Sequence, residues 1–199
     1  VSTVYRLKVK NVKRMLAYSG IEHMGIVMLG VAAGGIGYYA AVLHIILHAF
    51  VKSSLFFQFN QLYRVFQDKS IYHIGNYFKY NATGAMVLLF GFISATAMPP
   101  SGLFVSEFLI FKSIFDTGQI VLLIAVLLLL TLIIFAFGKN IFKILFIPAV
   151  GFDDSNVEKI SPWESLSQFL FLAFAVYLGL NPPAIFVQLL KDSVSLLPM

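Results

Sequence analysis

The sequence predicts an all-α integral membrane protein, and composition, the length of apolar runs and the placement of charge each support this class. Hydrophobic residues make up 59% of the 199 residues, charged residues make up 12%, and the mean hydropathy is +0.88. Soluble domains carry about 25% charged residues. Apolar runs near the ~20 residues that a transmembrane helix needs recur along the chain. Basic residues flank these runs, as in membrane proteins, so the net charge of +5 indicates no nucleic-acid partner.

The first two spans are predicted on either side of a glycine-rich hinge. Residues 13–33 form the first apolar run, and residues 1–12 before it form a basic lead-in. The hinge occupies residues 33–37, and residues 38–57 form the second span. The polar, aromatic-rich stretch 61–81 is expected to lie along the membrane interface as a short amphipathic helix or loop.

The third span is predicted to be a broken helix. Residues 82–114 form one apolar run, which is long for one span and short for two spans with a connection. Pro99, Pro100 and Gly102 interrupt this run. Proline lacks a backbone N–H and clashes with the preceding turn, so the helix must break there. A broken backbone at membrane depth survives only when it is buried in protein or lines a watery cavity.

Two further spans complete the prediction of about five transmembrane helices. Residues 119–137 form the fourth span, residues 138–163 form a polar loop, and residues 164–180 form the last span. A tail follows, up to residue 199, in which a Pro-Pro pair precedes a short amphipathic piece. The acidic residues of the polar loop are expected to form a solvated face: Asp153, Asp154 and Glu158.

Charge placement favours five spans over six. If the broken run is one span, the segments 1–14, 61–80 and 138–163 lie on one side and hold 11 of the 14 Lys and Arg residues. If the run made two spans, the last of these segments would move to the other side. The positive-inside rule therefore favours five spans, with the start of the chain on the cytoplasmic side.

Three ionisable residues lie four apart within the second span. His44, His48 and Lys52 therefore share one helix face over about two turns. A charge at bilayer depth costs at least ~2.5 kcal/mol, so these groups need a wet or polar partner surface. The pattern predicts a path for ions or protons, although a lone membrane histidine more often forms a hydrogen bond between helices.

Three more ionisable residues extend this hypothesis, each with an alternative left open. Glu107 follows the proline break in an apolar half-helix, where it is either a proton-carrying carboxylate or an interfacial one paired with Lys112. Glu22 and His23 lie within the first span, where they either belong to the path or form hydrogen bonds between helices. His73 in the polar stretch is expected to lie at the interface.

A membrane cytochrome is a remote alternative. His23 on the first span and His44 or His48 on the second could ligate a b-type haem between adjacent helices. The sequence shows no aromatic or arginine pattern for the haem propionates. The absence of cysteine excludes disulfides, iron–sulfur ligation and thiolate zinc sites within this chain. No catalytic residue, metal site or cofactor is therefore predicted here.

Three ordered motifs resemble consecutive helices of the antiporter-like membrane subunits of the complex I / Mrp superfamily. The motifs, in chain order, are Lys13-Arg14-Met15-Leu16-Ala17-Tyr18-Ser19 with Ile21-Glu22-His23-Met24-Gly25, then Leu43-His44 with His48-Ala49-Phe50-Val51-Lys52-Ser53, and then Met98-Pro99-Pro100-Ser101-Gly102-Leu103-Phe104 with Ser106-Glu107-Phe108. The first and third look most like the large membrane subunit of hydrogenase-4 and formate hydrogenlyase complexes. One departure is Asn11, where the family usually has an acidic residue.

The resemblance implies the architecture of the chain. Such subunits contain two inverted five-helix repeats, and this chain corresponds to the second repeat plus a last helix. Residues 1–12 would be a basic cytoplasmic lead-in, residues 13–137 the ion-translocation bundle, residues 138–163 a cytoplasmic loop and residues 164–199 the final helix with a short tail. The first repeat has no counterpart here, so the chain is expected to be a fragment or one piece of a split subunit.

The resemblance also implies a function. It points to a proton- or sodium-translocating subunit of a membrane-bound hydrogenase or complex I-like redox complex, without a redox centre of its own. The alternative is a subunit of a stand-alone Mrp-type cation/proton antiporter. The expected partners are the lipid bilayer of the cell inner (plasma) membrane, other membrane subunits and, through them, iron–sulfur and hydrogenase-type subunits. The path would use Lys52, Glu107, His48, His44, Glu22 and His23.

Overall fold

The structure is a computed structural model that describes residues 9–149, 151–152 and 157–196, and within these residues every regular element is a helix. Asp153 and Asp154 lie outside the described residues. A 3-10 turn, Pro162–Ser165, leads into the seventh helix. The α-helices are α1 Val12–Ala33, α2 Ile36–Phe66, α3 Tyr77–Tyr80, α4 Ala82–Ala95, α5 Gly102–Asp116, α6 Ile120–Phe146, α7 Leu166–Leu180 and α8 Ala184–Ser195.

Five membrane crossings are built from these helices. Four stretches of the described chain are long and apolar enough to span a bilayer, namely α1, α2, α6 and Pro162–Leu180. The fifth crossing consists of α4 and α5, which are 14 and 15 residues long and are separated by the break at residues 96–101. The fold class predicted from the sequence, with a third span broken at the two prolines, is confirmed.

The two halves of the broken span are held by a cap and by close packing. The Ser101 side chain accepts a hydrogen bond from the backbone N–H of Phe104, which caps the start of α5. Gly102 lies directly against the backbone of Ala175 and Gly179 on α7. A side chain at Gly102 would collide with the Ala175 carbonyl group, so only glycine allows α5 to approach α7 this closely.

Two helices are longer than the sequence predicts. Helix α2 continues to Phe66, because Gln58 and Gln61 find buried polar partners and therefore do not mark the end of the apolar span. Helix α6 continues to Phe146. Its last turns bury an apolar stripe at helical spacing: Ile141, Ile144 and Leu145.

The three basic segments meet at one end of the bundle. Lys10 O accepts the backbone N–H of Ile71 at 2.8 Å, and Val12 N–H donates to Lys69 O at 3.0 Å. The third segment reaches the same end, because Arg64 on the last turns of α2 forms ion pairs with Glu158 and Glu164. Glu158 therefore belongs to a salt-bridge network. This arrangement agrees with five spans, since six would place the third segment at the opposite end.

Helix α2 is the central element of the bundle, and α1, α4, α5 and α7 pack around it. Its apolar core residues repeat at nearly every fourth position and form one buried stripe: Leu43, Leu47, Val51, Leu55, Phe59 and Leu62. His44 and Lys52 are also buried on this helix. The central position of α2 therefore brings the predicted titratable row against three neighbouring helices.

Candidate functional site

The candidate site is a buried cluster of titratable side chains from three helices. His23 comes from α1, His44 and His48 come from α2, and Glu107 comes from α5 just after the break. The exposed fractions of His23, His44 and Glu107 are 5%, 0% and 5%. The spacing of four residues places His44 and His48 on one face of α2, and the short half-helix α5 brings Glu107 to the same depth in the bundle. The position of these groups therefore follows from helix packing around α2.

The cluster is connected by short distances between ring nitrogens and oxygens. His23 Nδ1 lies 3.0 Å from His44 Nε2 and 3.5 Å from Glu107 Oε1. His23 Nε2 lies 3.0 Å from the carbonyl oxygen of Ala95, the last residue of α4. His44 Nδ1 lies 2.9 Å from Ser106 Oγ. Both halves of the broken helix therefore contribute a polar group to the two histidines.

The hydrogen-bond partners determine which ring nitrogens carry protons. Ala95 O can only accept, so His23 Nε2 must donate. Ser106 Oγ donates to the Leu103 carbonyl at 3.0 Å, so it accepts from His44 Nδ1. The two remaining nitrogens, His23 Nδ1 and His44 Nε2, then face each other across 3.0 Å. Because two lone pairs repel, one proton lies between them.

When His44 Nδ1 also carries a proton towards Ser106, the histidine pair holds three ring protons and one positive charge, which an ionised Glu107 would balance. The carboxylate lies 3.5 Å from His23 Nδ1. A buried charge is tolerated only when it is paired and hydrogen-bonded. The carboxylate, the two rings and the hydroxyl of Ser106 together satisfy this condition.

His48 extends the cluster along α2 towards Lys52. Its ring centroid lies 4.7 Å from that of His23 and 6.2 Å from that of His44. The side chain is half-buried, and its Nε2 atom is buried without a hydrogen-bond partner. His48 therefore lies one helical turn from both His44 and Lys52, and its Nε2 atom can still donate or accept a hydrogen bond.

Lys52 is buried against α1 at the end of the row. Its Nζ donates to the carbonyl oxygen of Leu16 at 2.5 Å and to the hydroxyl of Ser19. Ser19 in turn donates to the Leu16 carbonyl at 3.0 Å. His44 and Lys52 are eight residues apart, so the row on α2 covers roughly 12 Å along the helix axis.

The structure decides between the alternatives for Glu107. Lys112 pairs with Asp116 at 2.6 Å, and both side chains are exposed. The alternative of an interfacial Glu107 paired with Lys112 is therefore wrong, because Glu107 faces the bundle interior while Lys112 lies one and a half turns further on, on another face. Glu22 is buried on α1, next to His23 in sequence.

His73 lies outside the cluster. It is exposed and pairs with Asp68 at 2.6 Å in the loop between α2 and α3. The backbone N–H of Ser70 and the ring of His73 lower the pKa of Asp68 below its ordinary value. The interfacial position predicted for His73 agrees with this exposure.

Several polar residues of the site were not predicted from the sequence. Ser106 and Ser19 position His44 and Lys52, and serine in an otherwise apolar helix was the available signal. A second buried polar group lies beyond Lys52, towards the basic end of the bundle. Its members are joined by side-chain hydrogen bonds: Gln58, Gln61, Tyr77, Asn81 and Ser165.

The geometry gives no support to haem ligation by the same histidines. His23 Nδ1 and His44 Nε2 are 3.0 Å apart, and a porphyrin ring between them has no room. The rings of His23 and His48 are also in near contact, with centroids 4.7 Å apart. The arrangement instead suits the transfer of a small cation between neighbouring groups.

Fold and site together define a class: a multi-span membrane protein whose broken helix brings a carboxylate against histidines at the centre of the bundle. The chain belongs to the NADH:quinone oxidoreductase/Mrp antiporter transmembrane family, whose family model matches residues 2–133. The resemblance drawn from the three motifs is thereby confirmed.

Individual relatives agree with this assignment. A hydrogenase-4 component F homolog from Methylacidiphilum infernorum is 33% identical over 109 residues, which cover 54% of this chain and 23% of that protein. NADH-quinone oxidoreductase subunit N 2 from Symbiobacterium thermophilum is 27% identical over 209 residues, covering 99% of this chain and 39% of that protein.

A solved structure shows the same fold. In the Mrp complex from Dietzia sp. DQ12-45-1b, a chain superposes with a TM-score of 0.84 at 16% identity, covering 98% of this chain and 44% of that chain. The chain therefore spans less than half the length of these relatives.

Proposed function

We propose that this chain moves protons across a membrane as part of a subunit of a membrane-bound hydrogenase or complex I-like redox complex. One observation carries the proposal. Ser106, His44 and His23 form an unbroken hydrogen-bonded row that ends at Ala95 O, with the Glu107 carboxylate beside it. Such a row holds an exchangeable proton at a fixed position inside the bundle.

The histidine pair can hold either three or two ring protons, and the orientation of the Ser106 hydroxyl differs between these two states. When Ser106 accepts from His44 Nδ1, the histidine pair holds three ring protons and is positively charged. When the hydroxyl turns and donates to His44 Nδ1, the pair holds two protons and is neutral. The rotation therefore accompanies the release of one proton, and protonation of Glu107 balances the loss of positive charge.

Lys52 supplies the next exchange position. Its ammonium group is compact and can give up a proton when buried, unlike a guanidinium. His48, one turn away, has a buried Nε2 without a hydrogen-bond partner and can take a proton from that side. Glu22, which is buried on α1 and precedes His23 in the sequence, is the remaining member of the proposed path.

The donor atoms favour protons over sodium. Hard cations are bound by oxygen ligands, whereas imidazole nitrogen prefers protons or transition metals. The centre of the cluster offers four imidazole nitrogens of His23 and His44 and one carboxylate. A sodium ion would find too few oxygens there.

The assignment to a redox complex rests on relatives. The relative from Methylacidiphilum infernorum is named for hydrogenase-4, and the relative from Symbiobacterium thermophilum for NADH-quinone oxidoreductase. Other membrane subunits are therefore the expected partners, with iron–sulfur and hydrogenase-type subunits beyond them, in the cell inner (plasma) membrane. A stand-alone Mrp-type antiporter is the second candidate, supported by the shared fold.

The test is a charge-removing variant of the complex in sealed membrane vesicles. Glu107→Gln keeps the size of the side chain but cannot balance the histidine pair, so redox-driven acidification should fall at least tenfold while the complex still assembles. Lys112→Gln is the matched control, because this exposed residue pairs only with Asp116 in the described contacts. Normal proton movement in Glu107→Gln would contradict the proposal, and copurifying redox subunits would decide against the stand-alone antiporter.

A further inference from the structure

The cluster of His23, His44 and Glu107 also has the geometry of a transition-metal site. One ligand atom from each residue lies within 4.8 Å of the other two, and all three residues are buried. We infer that these residues bind a dication of the Zn²⁺ type, and that the bound metal blocks the row of exchangeable protons. No metal site follows from the sequence, because the ligands come from three helices and share no spacing motif.

The distances match tetrahedral coordination. Zinc binds imidazole nitrogen at about 2.0–2.1 Å and carboxylate oxygen at about 2.0–2.2 Å, so neighbouring ligand atoms of a tetrahedron lie about 3.3 Å apart. His23 Nδ1 lies 3.0 Å from His44 Nε2 and 3.5 Å from Glu107 Oε1. All three ligand atoms lie within 4.8 Å of one another, so closing the remaining gap to about 3.3 Å takes a side-chain movement of at most about 1.5 Å.

The outer hydrogen bonds orient both rings for a metal. Histidines that bind metals almost always donate their other ring N–H to a carbonyl, carboxylate or water, which fixes the tautomer. His23 does this through Nε2 to Ala95 O at 3.0 Å, and His44 through Nδ1 to Ser106 Oγ at 2.9 Å. The lone pairs of the two inner nitrogens consequently point at the same position, which must hold a cation.

A proton and a metal ion therefore compete for one place. The ligand set of two histidines and one glutamate is typical of zinc sites that keep a fourth position open. His48 stands beside this position, since its ring centroid is 4.7 Å from that of His23 and its Nε2 has no hydrogen-bond partner. His48 is only partly buried, so an ion would reach the cluster past this side chain.

The ligand chemistry selects the class of metal. Two imidazole nitrogens and one carboxylate oxygen suit Zn²⁺, Cu²⁺ or Ni²⁺, whereas Mg²⁺ and Ca²⁺ require shells of oxygen. A bound dication would occupy His23 Nδ1 and His44 Nε2, which are the two atoms that share the exchangeable proton. The inhibitory effect rests on the proposed function, whereas the binding itself does not.

The experiment uses the purified membrane complex, freed of metal with a chelator and titrated with Zn²⁺ alone. We expect one zinc equivalent to be lost in His44→Gln relative to the unmodified complex. X-ray absorption of the zinc bound at this site should show two imidazole nitrogens. His73→Gln is the matched control, because this histidine is exposed and lies outside the cluster, and it should leave the bound zinc unchanged.

A second variant keeps the test decisive if His44→Gln fails to assemble. Ser106→Ala retains every ligand but removes the partner of His44 Nδ1, so zinc affinity should fall by about 10–100-fold, as for other outer partners of metal ligands. Equal zinc affinity in Ser106→Ala and the unmodified complex, or a zinc shell without imidazole, would overturn the inference.

Zinc inhibition in sealed vesicles separates the two proposals. Slower proton movement on zinc binding supports both of them. If zinc binds with two imidazoles yet proton movement continues unchanged, the site stands and the proton path through it is wrong. If proton movement depends on Glu107 but no zinc binds, the path stands and the metal site is wrong.

Discussion

His44 Nδ1 donates a hydrogen bond to Ser106 Oγ at 2.9 Å, and this contact determines which nitrogen of His44 faces His23. The serine belongs to α5 and the histidine to α2, so the bond joins the half-helix after the proline break to the central helix. Under the proposed function, a change in the position of α5 is therefore expected to change the proton count of the histidine pair. This relationship gives the broken helix a physical means of controlling a buried proton.

Replacing Ser106 tests this control directly. Ser106→Ala leaves the N–H of His44 without an acceptor in the charged state of the pair, at a cost of about 1–3 kcal/mol. We expect proton translocation by the complex to slow by about tenfold, which corresponds to ~1.4 kcal/mol, with assembly retained. Ser106→Thr keeps the hydroxyl and should retain most activity. Equal rates in the Ala variant and the unmodified complex would show that the serine only fills space.

Lys52 should act as a proton carrier and not as a fixed charge. Lys52→Met removes the titrating group at similar length, and Lys52→Arg keeps the charge but cannot release its proton. Both variants should assemble, because Leu16 O and Ser19 lie at the edge of the polar row and Ser19 keeps its own bond to Leu16 O. Both should lose coupled proton movement by more than about tenfold, measured as vesicle acidification per electron transferred. Full coupling in Lys52→Arg would mean that this position is only electrostatic.

The five-span topology predicts which residues are accessible from each side. Lys10→Cys and Lys159→Cys should be labelled from the same face by a membrane-impermeant thiol reagent, and Gln119→Cys from the opposite face. The chain contains no cysteine of its own, so it contributes no background. Labelling of positions 10 and 159 from opposite faces would require an odd number of crossings between them, whereas the five-span topology places four there, and would contradict the topology.

Gly102 should be intolerant of any side chain. Gly102→Ala places a methyl group against the backbone of Ala175, which cannot move aside as a flexible side chain could. Such overpacking costs about 1–3 kcal/mol or more, so we expect less assembled complex and a lower thermal midpoint. Gly25→Ala is the matched control, because nothing lies within 4 Å of its added methyl group. Equal stability of the two variants would show that α5 and α7 separate easily.

The sequence by itself predicted the membrane class, the five spans, the break in the third span and the titratable row on the second span. These features depend on local properties: apolar length, proline chemistry and a spacing of four residues on one helix. The ends of α2 and α6 were placed too early, at residues 57 and 137. Helix α2 continues because Tyr77 and Asn81 form hydrogen bonds with its glutamines. Helix α6 continues because Ile141 and Ile144 extend its buried apolar stripe.

The partners of the titratable groups were decided only by the tertiary structure. Sequence spacing left Glu107 a choice between Lys112 and the bundle interior, and helix packing placed it 3.5 Å from His23. Ser106, Ala95 and Leu16 contact the titratable groups only because α1, α4 and α5 pack around α2. A periodic pattern defines which face of a helix is buried, but a hydrogen bond between helices depends on their relative rotation and depth. These two quantities are set by packing across the whole bundle, and no segment of the sequence encodes them alone.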